Sequence, residues 1–234
     1  TVTAINSFAI GMRAQVSEQN SYAIGREAKA LGLGAYAIGT QANASGAGSY
    51  ALGSLSNATG NYSIAQGASA QATAIYSTAI GTLANATGNH SIAQGAWSNA
   101  VGHESIAIGH SSDVRSSYSI AIGTNATVTR SEAVAIGVNA NASNTEAYAI
   151  GKNALSIGQA AYAIGEKARA EGAAAYAIGY EANASGFLSY ALGEGSRASG
   201  NYSFAQGYAA NASGLASISI GNASNVTGNQ SIGI

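Results

Sequence analysis

Few side chains in this sequence could carry catalysis or bind a metal ion. The chain has three histidines, a single aspartate (Asp113) and no cysteine, so it lacks thiolate ligands and the aspartate-bearing repeat of calcium-binding β-rolls. Serine is abundant, but no nucleophile-elbow motif frames any serine. His90 and His103 could approach each other, although solvated turn histidines are the more frequent case. We therefore predict that the chain is not an enzyme and has no metal site and no cofactor.

A charge-free stretch carries the candidate partner-binding surface. No charged residue lies between Lys29 and Glu104, and this span contains Leu55, Leu83 and Trp97. These three residues share one position of the repeat described below. Aliphatic and aromatic side chains on one exposed face often mark an interaction site. The alternative is that they fold over the flank of the protein or against an adjacent chain.

The composition argues against nucleic acid and membranes as binding partners. The formal net charge is −1 and only 19 of 234 residues are charged, so bulk electrostatics predict no binding to nucleic acid or to an anionic membrane. No apolar run reaches the length of a membrane span and no signal peptide opens the chain. The sequence is therefore expected to be either a fragment of a surface protein or a protein of another kind.

The elements that position these side chains follow from a 14-residue repeat. One glycine recurs sixteen times without slippage, from Gly11 to Gly221, and repeat positions are numbered here from that glycine as position 0. A second glycine follows at position +7 in eleven of the repeats. Glycine at the half and full period indicates two turns in each repeat, since turns often need a positive φ.

Residues between the two turns alternate with a period of two. Positions −4 and −2 are Ser or Ala, position −3 is a β-former such as Tyr22 or Ile64, and position −1 is Ile, Leu or Gln. Positions +3 and +5 are small and flank polar residues such as Lys29. Period-two alternation is typical of strands. The sequence therefore predicts an all-β parallel β-roll of about sixteen 14-residue coils, each with two short strands and two turns.

The distribution of charge predicts an oligomer. None of the charged residues occupies positions −4 to −1 in any repeat. Neighbouring residues of a strand point to opposite faces, so a strand without charge on either face is expected to be buried on both. One face lines the roll, and a second copy of the chain is the simplest cover for the other.

The sequence leaves open which face of this strand lines the roll. Ile and Tyr could fill the interior against the small +3 and +5 residues, or small residues could fill a thin roll while Ile and Tyr face a symmetry axis. Gln66, Gln94 and Gln206, which replace the aliphatic residue at position −1, are interpreted as a structural polar layer buried at that axis. The alternative for each glutamine is a bond to a turn carbonyl.

The repeat resembles that of a known protein family. Asn6-Ser7-Phe8-Ala9-Ile10-Gly11 and Asn20-Ser21-Tyr22-Ala23-Ile24-Gly25 resemble the Asn-Ser-Val-Ala-Ile-Gly repeat of YadA-like heads, the head domains of trimeric autotransporter adhesins. The resemblance extends over residues 1–234 and implies a left-handed parallel β-roll assembled as a homotrimer. It also implies that signal peptide, stalk and membrane anchor lie outside this sequence. The leading Asn is replaced in most coils, for example by Tyr62.

The resemblance implies a function in adhesion at the surface of a Gram-negative bacterium. The expected partners are a host extracellular matrix protein or a host cell-surface receptor, and self-association of cells is a further expectation. The competing interpretation is a structural spacer, or a self-association module, of a surface fibre. Fold alone does not transfer ligand specificity, so the sequence does not name the ligand.

Overall fold

The computed structural model describes residues 1–234 and contains only β-strands and turns. The chain divides into two compact units, Thr1–Tyr118 and Ser119–Ile234, and each unit is described by itself. Each unit contains eight 14-residue coils, so the predicted all-β parallel solenoid of sixteen coils is confirmed. Every coil contributes one strand at positions −3 to −1 and one at positions +4 and +5, as the alternation predicted.

In the first unit the long strands are β1 Phe8–Ile10, β3 Tyr22–Ile24, β5 Tyr36–Ile38, β7 Tyr50–Leu52, β9 Ile64–Gln66, β11 Thr78–Ile80, β13 Ile92–Gln94 and β15 Ile106–Ile108. The short strands are β2 Gln15–Val16, β4 Lys29–Ala30, β6 Asn43–Ala44, β8 Asn57–Ala58, β10 Gln71–Ala72, β12 Asn85–Ala86, β14 Asn99–Ala100 and β16 Asp113–Val114.

In the second unit the first set of strands is β17 Ile120–Ile122, β19 Val134–Ile136, β21 Tyr148–Ile150, β23 Tyr162–Ile164, β25 Tyr176–Ile178, β27 Tyr190–Leu192, β29 Phe204–Gln206, β31 Ile218–Ile220 and β33 Ile232–Gly233. The short strands are β18 Thr127–Val128, β20 Asn141–Ala142, β22 Leu155–Ser156, β24 Arg169–Ala170, β26 Asn183–Ala184, β28 Arg197–Ala198, β30 Asn211–Ala212 and β32 Asn225–Val226.

Within each unit the odd-numbered strands form one parallel sheet and the even-numbered strands form another. We call them the long-strand sheet and the short-strand sheet. Each residue pairs with its equivalent in the next coil, as Tyr22 does with Tyr36 in the first unit and Tyr148 with Tyr162 in the second. Because the register equals the repeat, identical positions line up in columns along each unit, and a side chain is described here by its column.

The interior of each unit is filled by small side chains. Ala at position −2 and the residues at +3 and +5 are fully buried in almost every coil, for example Ala37, Ala42 and Ala44, each with 0% of its surface exposed. Serines at −4 and +3 are buried with them, and valines such as Val114 are the largest fully buried side chains. This settles the question that the sequence left open: small residues fill the roll, and Ile and Tyr lie on the outward face of the strand.

The two families of glycine have different structural roles. Position 0 glycines have φ values such as +138° for Gly39, a backbone conformation that disfavours any other residue. The half-period glycines do not have a positive φ, so the expectation is wrong for the glycine itself, and the positive φ of this turn lies two residues later, as at Gly34. A Cβ on Gly46 would overlap the carbonyl oxygen of Gly60 in the next coil. Glycine is therefore favoured at position +7 because the coils stack closely. Five coils nevertheless have another residue at this position, such as Arg130.

Candidate binding surfaces

The outward face of the long-strand sheet is apolar and uncovered in the single chain. Positions −3 and −1 point away from the interior, and Ile38, Tyr50 and Ile178 retain 41%, 41% and 40% of their surface exposed. Tyrosines of the −3 column stack on each other, with ring centroids 4.9 Å apart for Tyr22 and Tyr36 in the first unit. The expected burial of the inward face is confirmed, and burial of the outward face against a second copy of the chain stays a prediction.

The second unit has a longer tyrosine column on the same face. Tyr148 and Tyr162 stack at 4.7 Å with their ring planes 1° from parallel, and the column continues through Tyr176 to Tyr190. Burial between its neighbours raises the pKa of Tyr176, and the charges of Tyr162 and Tyr190 raise it further if they ionise. Offset stacking of aromatic rings stabilises such a column beyond the area that it buries.

The three glutamines at position −1 lie on this outward face. Gln66, Gln94 and Gln206 are all exposed to solvent in the single chain. Each sits in register with an aliphatic residue of a neighbouring coil, as Gln66 does with Ile80 and Gln206 with Ile220. Their placement in a buried polar layer stays a prediction, since it requires a second copy of the chain against this face.

The turns have a backbone feature that sequence reasoning missed. Positions +2 and −5 adopt a left-handed conformation in every coil, including bulky residues such as Leu55 with φ +59° and Trp97 with φ +56°. Such φ values are uncommon for residues other than Gly, Asn and Asp. Asn and Gly do recur in these two columns, for example Asn20 and Gly195, and that bias was the available signal.

Leu55, Leu83 and Trp97 lie in one column at the +2 turn of the first unit. They are 53%, 44% and 56% exposed. The indole ring of Trp97 meets the imidazole of His110 edge to face, with centroids 5.2 Å apart. Leu83 and Trp97 occupy adjacent coils, whereas Ser69 separates Leu83 from Leu55. The structure therefore places the three residues predicted as a patch on one exposed edge, without showing what binds there.

A second exposed aromatic row follows the opposite turn of the same coils. Tyr62 stacks on Tyr76 at 5.1 Å, and Tyr76 stacks on His90 at 5.1 Å. His103 continues the row by edge-to-face contacts to His90 and to Tyr118. Tyr62, Tyr76 and Tyr118 are 56%, 51% and 55% exposed. This aromatic row was not predicted from the sequence.

Of the three histidines, only His90 and His103 lie next to each other. The rings of His90 and His103 are 6.0 Å apart and nearly perpendicular, and His103 Nε2 lies 3.2 Å from Glu104 Oε1. No group of three or more His, Cys, Asp or Glu side chains is arranged to hold a metal ion. Since the chain contains no helix, it has none long and apolar enough to cross a membrane.

Asparagines of the +4 column form hydrogen-bonded ladders between coils. Asn43 Nδ2 donates to Asn57 Oδ1 at 2.9 Å, and Asn85 donates to Asn99, which donates to Asp113 at 2.7 Å. An asparagine that follows a coil without an amide in this column receives no such bond. For that reason Asn43 Oδ1, Asn141 Oδ1 and Asn183 Oδ1 are buried without a partner.

Charged side chains of the second unit form bridges between and within coils. Lys167 Nζ donates to Glu181 Oε1 at 2.8 Å, and Arg169 donates to Glu171 at 2.6 Å within one coil. The hydrogen bond from Lys167, followed by that of the Tyr180 hydroxyl, lowers the pKa of Glu181. The bond to Glu181 in turn raises the pKa of Lys167. All these groups are exposed except the half-buried Glu171, so the bridges mark a polar surface rather than a reactive site.

Comparison with known families identifies the repeat. The sequence profile described as the YadA head domain repeat, two copies per profile, matches eleven overlapping segments: 17–42, 30–56, 44–65, 58–84, 86–112, 115–140, 131–154, 156–182, 170–186, 184–210 and 212–232. Together they cover nearly the whole chain. The chain belongs to the YadA head domain repeat family. This confirms the resemblance drawn from the Asn-Ser-x-Ala-Ile-Gly motif, and the family is one of adhesins rather than of enzymes.

Other comparisons add less. Among solved structures, the chain is similar to the collagen-binding domain of the Yersinia adhesin YadA, with 19% sequence identity over 94% of this chain and 69% of that chain and a TM-score of 0.19. No curated protein matches the sequence. Membership of the YadA head domain repeat family thus rests on the repeat itself, and it gives the protein an adhesin-type function. YadA-like heads are exposed on the cell surface of Gram-negative bacteria.

Proposed function

We propose that three copies of this YadA-like head assemble with their long-strand sheets facing a common axis. The proposal is supported by the uncovered apolar face, on which isoleucine and tyrosine columns repeat through both units. Covering a large aliphatic or aromatic side chain contributes roughly 1.5–3 kcal/mol when burial is complete, so many half-exposed side chains favour association. Gln66, Gln94 and Gln206 would then form three hydrogen-bonded layers that fix the register of the chains.

The mass of the purified protein in solution tests this assembly. The trimer has three times the chain mass of 23.0 kDa. Ile136→Lys places a charge on the proposed contact face and should lower the mass, whereas Val138→Lys should leave it unchanged. The two residues are 37% and 44% exposed and lie two positions apart, but Val138 is outside the long-strand sheet. A stable 23.0 kDa species of the unmodified chain would refute the assembly.

The assembled head is proposed to attach a Gram-negative bacterium to a host extracellular matrix protein or a host cell-surface receptor, and to support autoagglutination. Membership of an adhesin family is the observation that carries this proposal. Repeated coils on three chains convert weak contacts into avidity. On this view the protein is the head of a trimeric autotransporter held at the outer membrane by a part outside this sequence, and it contributes to virulence.

The proposed contact is the exposed +2 edge of the first unit that carries Leu55, Leu83 and Trp97. Trp97 is the anchor, because tryptophan is enriched at binding hot spots and this side chain is more than half exposed. Bulky residues in a left-handed conformation are costly compared with glycine at the same position. No intrachain core requires these three side chains, which favours a role in binding.

Binding of the purified head to immobilised collagens, fibronectin, laminin and carcinoembryonic-antigen-type receptors tests the function. Saturable binding to one of them, weakened at least about tenfold by Trp97→Ala, would support both function and site. Tyr208→Ala is the matched control, since Tyr208 is an aromatic residue 60% exposed in the second unit. Unchanged affinity of a folded Trp97→Ala head would remove the site from the proposal.

The second candidate function is a spacer or self-association module of a surface fibre. The regular stacking of equivalent coils, which can be extended without any new element, favours it. This candidate predicts that the head binds none of the host proteins. If cells that display the head nevertheless clump, the function is self-association. If they do not clump, the head is a structural spacer.

A further inference from the structure

Several segments of the first unit recur ten coils later in the second unit. Leu52 and Leu192 are the only leucines at position −1, and they lie ten coils apart. Gln66 recurs as Gln206 at the same interval, the segment 43–46 (Asn-Ala-Ser-Gly) recurs at 183–186, and 60–63 (Gly-Asn-Tyr-Ser) recurs at 200–203. Part of the first unit therefore has an equivalent in the second.

A groove occurs at equivalent positions of the two units. In the first unit a groove of about 500 Å³ is lined by Glu27, Lys29, Gln41 and Asn43, together with Leu55 and two further residues. In the second unit a groove of about 490 Å³ is lined by the residues ten coils later, Lys167, Arg169, Glu181 and Asn183, and by Arg197. Both volumes fall in the range of small-ligand sites.

The two grooves share a bridge between adjacent coils, although the carboxylate of the bridge lies in the first of the two coils in one groove and in the second coil in the other. A bridge between adjacent coils forms one wall of each: Gln41 Nε2 donates to Glu27 Oε2 at 2.8 Å, and Lys167 Nζ donates to Glu181 Oε1 at 2.8 Å. Each groove therefore contains one carboxylate. The hydrogen bond from Gln41 lowers the pKa of Glu27, which stays ionised at neutral pH.

Each groove also holds a cation that forms no ion pair, although the charge of Lys29 contributes to lowering the pKa of Glu27. The ion pairs of the chain include neither Lys29 nor Arg197, and both are exposed. Arg169, by contrast, is held by Glu171. An unpaired cation beside an ionised carboxylate and an asparagine amide offers a salt-bridge donor, a strong acceptor and a neutral amide within one shallow site.

We propose that each unit binds one acidic sugar residue of a host oligosaccharide in its groove. The sugar carboxylate accepts from Lys29 in the first unit and from Arg197 in the second. Its hydroxyl groups donate to Glu27 or Glu181, and the asparagine amide orients the ring. An acidic peptide fits less well, because the groove carboxylate repels further negative charge and such a peptide offers few hydroxyl donors. Leu55 belongs both to the +2 edge and to the lining of the first groove, whereas Leu83 and Trp97 line neither groove.

Amide-detected NMR of the ¹⁵N-labelled head tests the proposal, with sialyllactose as probe and lactose as the matched neutral sugar. Sialyllactose should shift two separate groups of amides, one around residues 27–43 and one around residues 167–197. Lactose should shift neither. Lys29→Met should abolish the first group alone and Arg197→Met the second alone, with at least about tenfold weaker binding at the altered site, because a charge-assisted hydrogen bond is lost.

Arg130→Met is the control, since Arg130 is an exposed cation in the second unit outside both grooves. It should leave both groups of shifts unchanged. Equal response to lactose, shifts in one groove only, no shifts at all, or an unaltered response in the Lys29→Met/Arg197→Met double variant would each overturn the proposal. A head that captures a host protein but shows no sugar-induced shift would refute this inference and leave the adhesin function standing.

Discussion

A carbon atom attached to the Cα of Gly39 would overlap the carbonyl oxygen of Gly53 in the next coil. The atom in its way belongs to the backbone, so it cannot rotate aside. The same relationship recurs along the column, as between Gly151 and Gly165. Close stacking of coils, together with a φ of +138° at Gly39, therefore restricts position 0 to glycine.

Gly39→Ala should destabilise the fold by at least about 3 kcal/mol, because strain and a backbone clash act together. Gly34→Ala is the control: Gly34 has φ +64° and nothing lies within 4 Å of its missing Cβ, and Ala160 occupies the same repeat position. The control should cost about 1 kcal/mol, because only the left-handed backbone disfavours alanine there. Chemical denaturation of both variants measures the difference, and similar losses for the two would contradict the stacking explanation.

Thr127→Asn should stabilise the second unit by creating a new step of an asparagine ladder. Thr127 pairs in register with Asn141, whose Oδ1 is buried without a hydrogen-bond donor. An amide at position 127 supplies that donor, and the net gain of a satisfied buried acceptor is about 1 kcal/mol. Thr127→Val, which adds no donor, serves as control. If thermal unfolding places the Asn variant no higher than the Val variant, the ladder contributes nothing at this position.

Two serines of the −4 column should respond differently to replacement by alanine. Ser105 Oγ donates to the carbonyl oxygen of Gly102 at 2.7 Å, whereas Ser63 Oγ is buried with no partner. Ser105→Ala should cost about 1 kcal/mol, and Ser63→Ala should be neutral or stabilising, because it removes an unsatisfied buried hydroxyl. Both residues are fully buried, so the difference between their free energies of unfolding reports the hydrogen bond rather than a difference in burial. Equal costs would show that the hydroxyl bond is irrelevant.

Alkaline pH should destabilise the second unit through its tyrosine column. The pKa of Tyr176 is raised above its ordinary value of 10.0, chiefly because burial disfavours the phenolate. The unfolded chain ionises first as the pH rises, so the stability due to the neutral phenol is fully present below the unfolded-state pKa and is lost as the pH rises through the folded-state pKa. Tyr176→Phe should flatten this alkaline decline in unfolding free energy, and an unchanged pH profile would contradict it.

Most of the fold could be predicted from the sequence because the repeat expresses it sixteen times. The spacing of Gly11 and Gly25, and the alternation at Tyr22-Ala23-Ile24, are local signals that place turns and strands. The inward face could not be chosen from them. Alanine and isoleucine are both apolar, and the choice depends on the distance between the two sheets, which is a property of the whole coil rather than of either strand.

The candidate sites were less predictable than the fold. The shared edge of Leu55, Leu83 and Trp97 followed from columns of the repeat, and their exposure agrees with that interpretation. The grooves at Lys29 and Arg197 did not follow, because a groove depends on which neighbouring side chains pair with each other. The left-handed backbone at Tyr62 and Trp97 could not be predicted either, because bulky residues rarely adopt a left-handed conformation.

The alanine interior has a consequence for how a unit finds its native arrangement. Every coil offers the next one nearly the same buried surface of Ala and Ser, so a coil that stacked on the wrong neighbour would lose almost no packing energy. Only the exceptions distinguish one coil from another, such as the bond between Asn99 and Asp113 or that between Lys167 and Glu181. These pairs between side chains specify which coil stacks on which. We therefore expect whole coils to be gained or lost most readily where such pairs are missing.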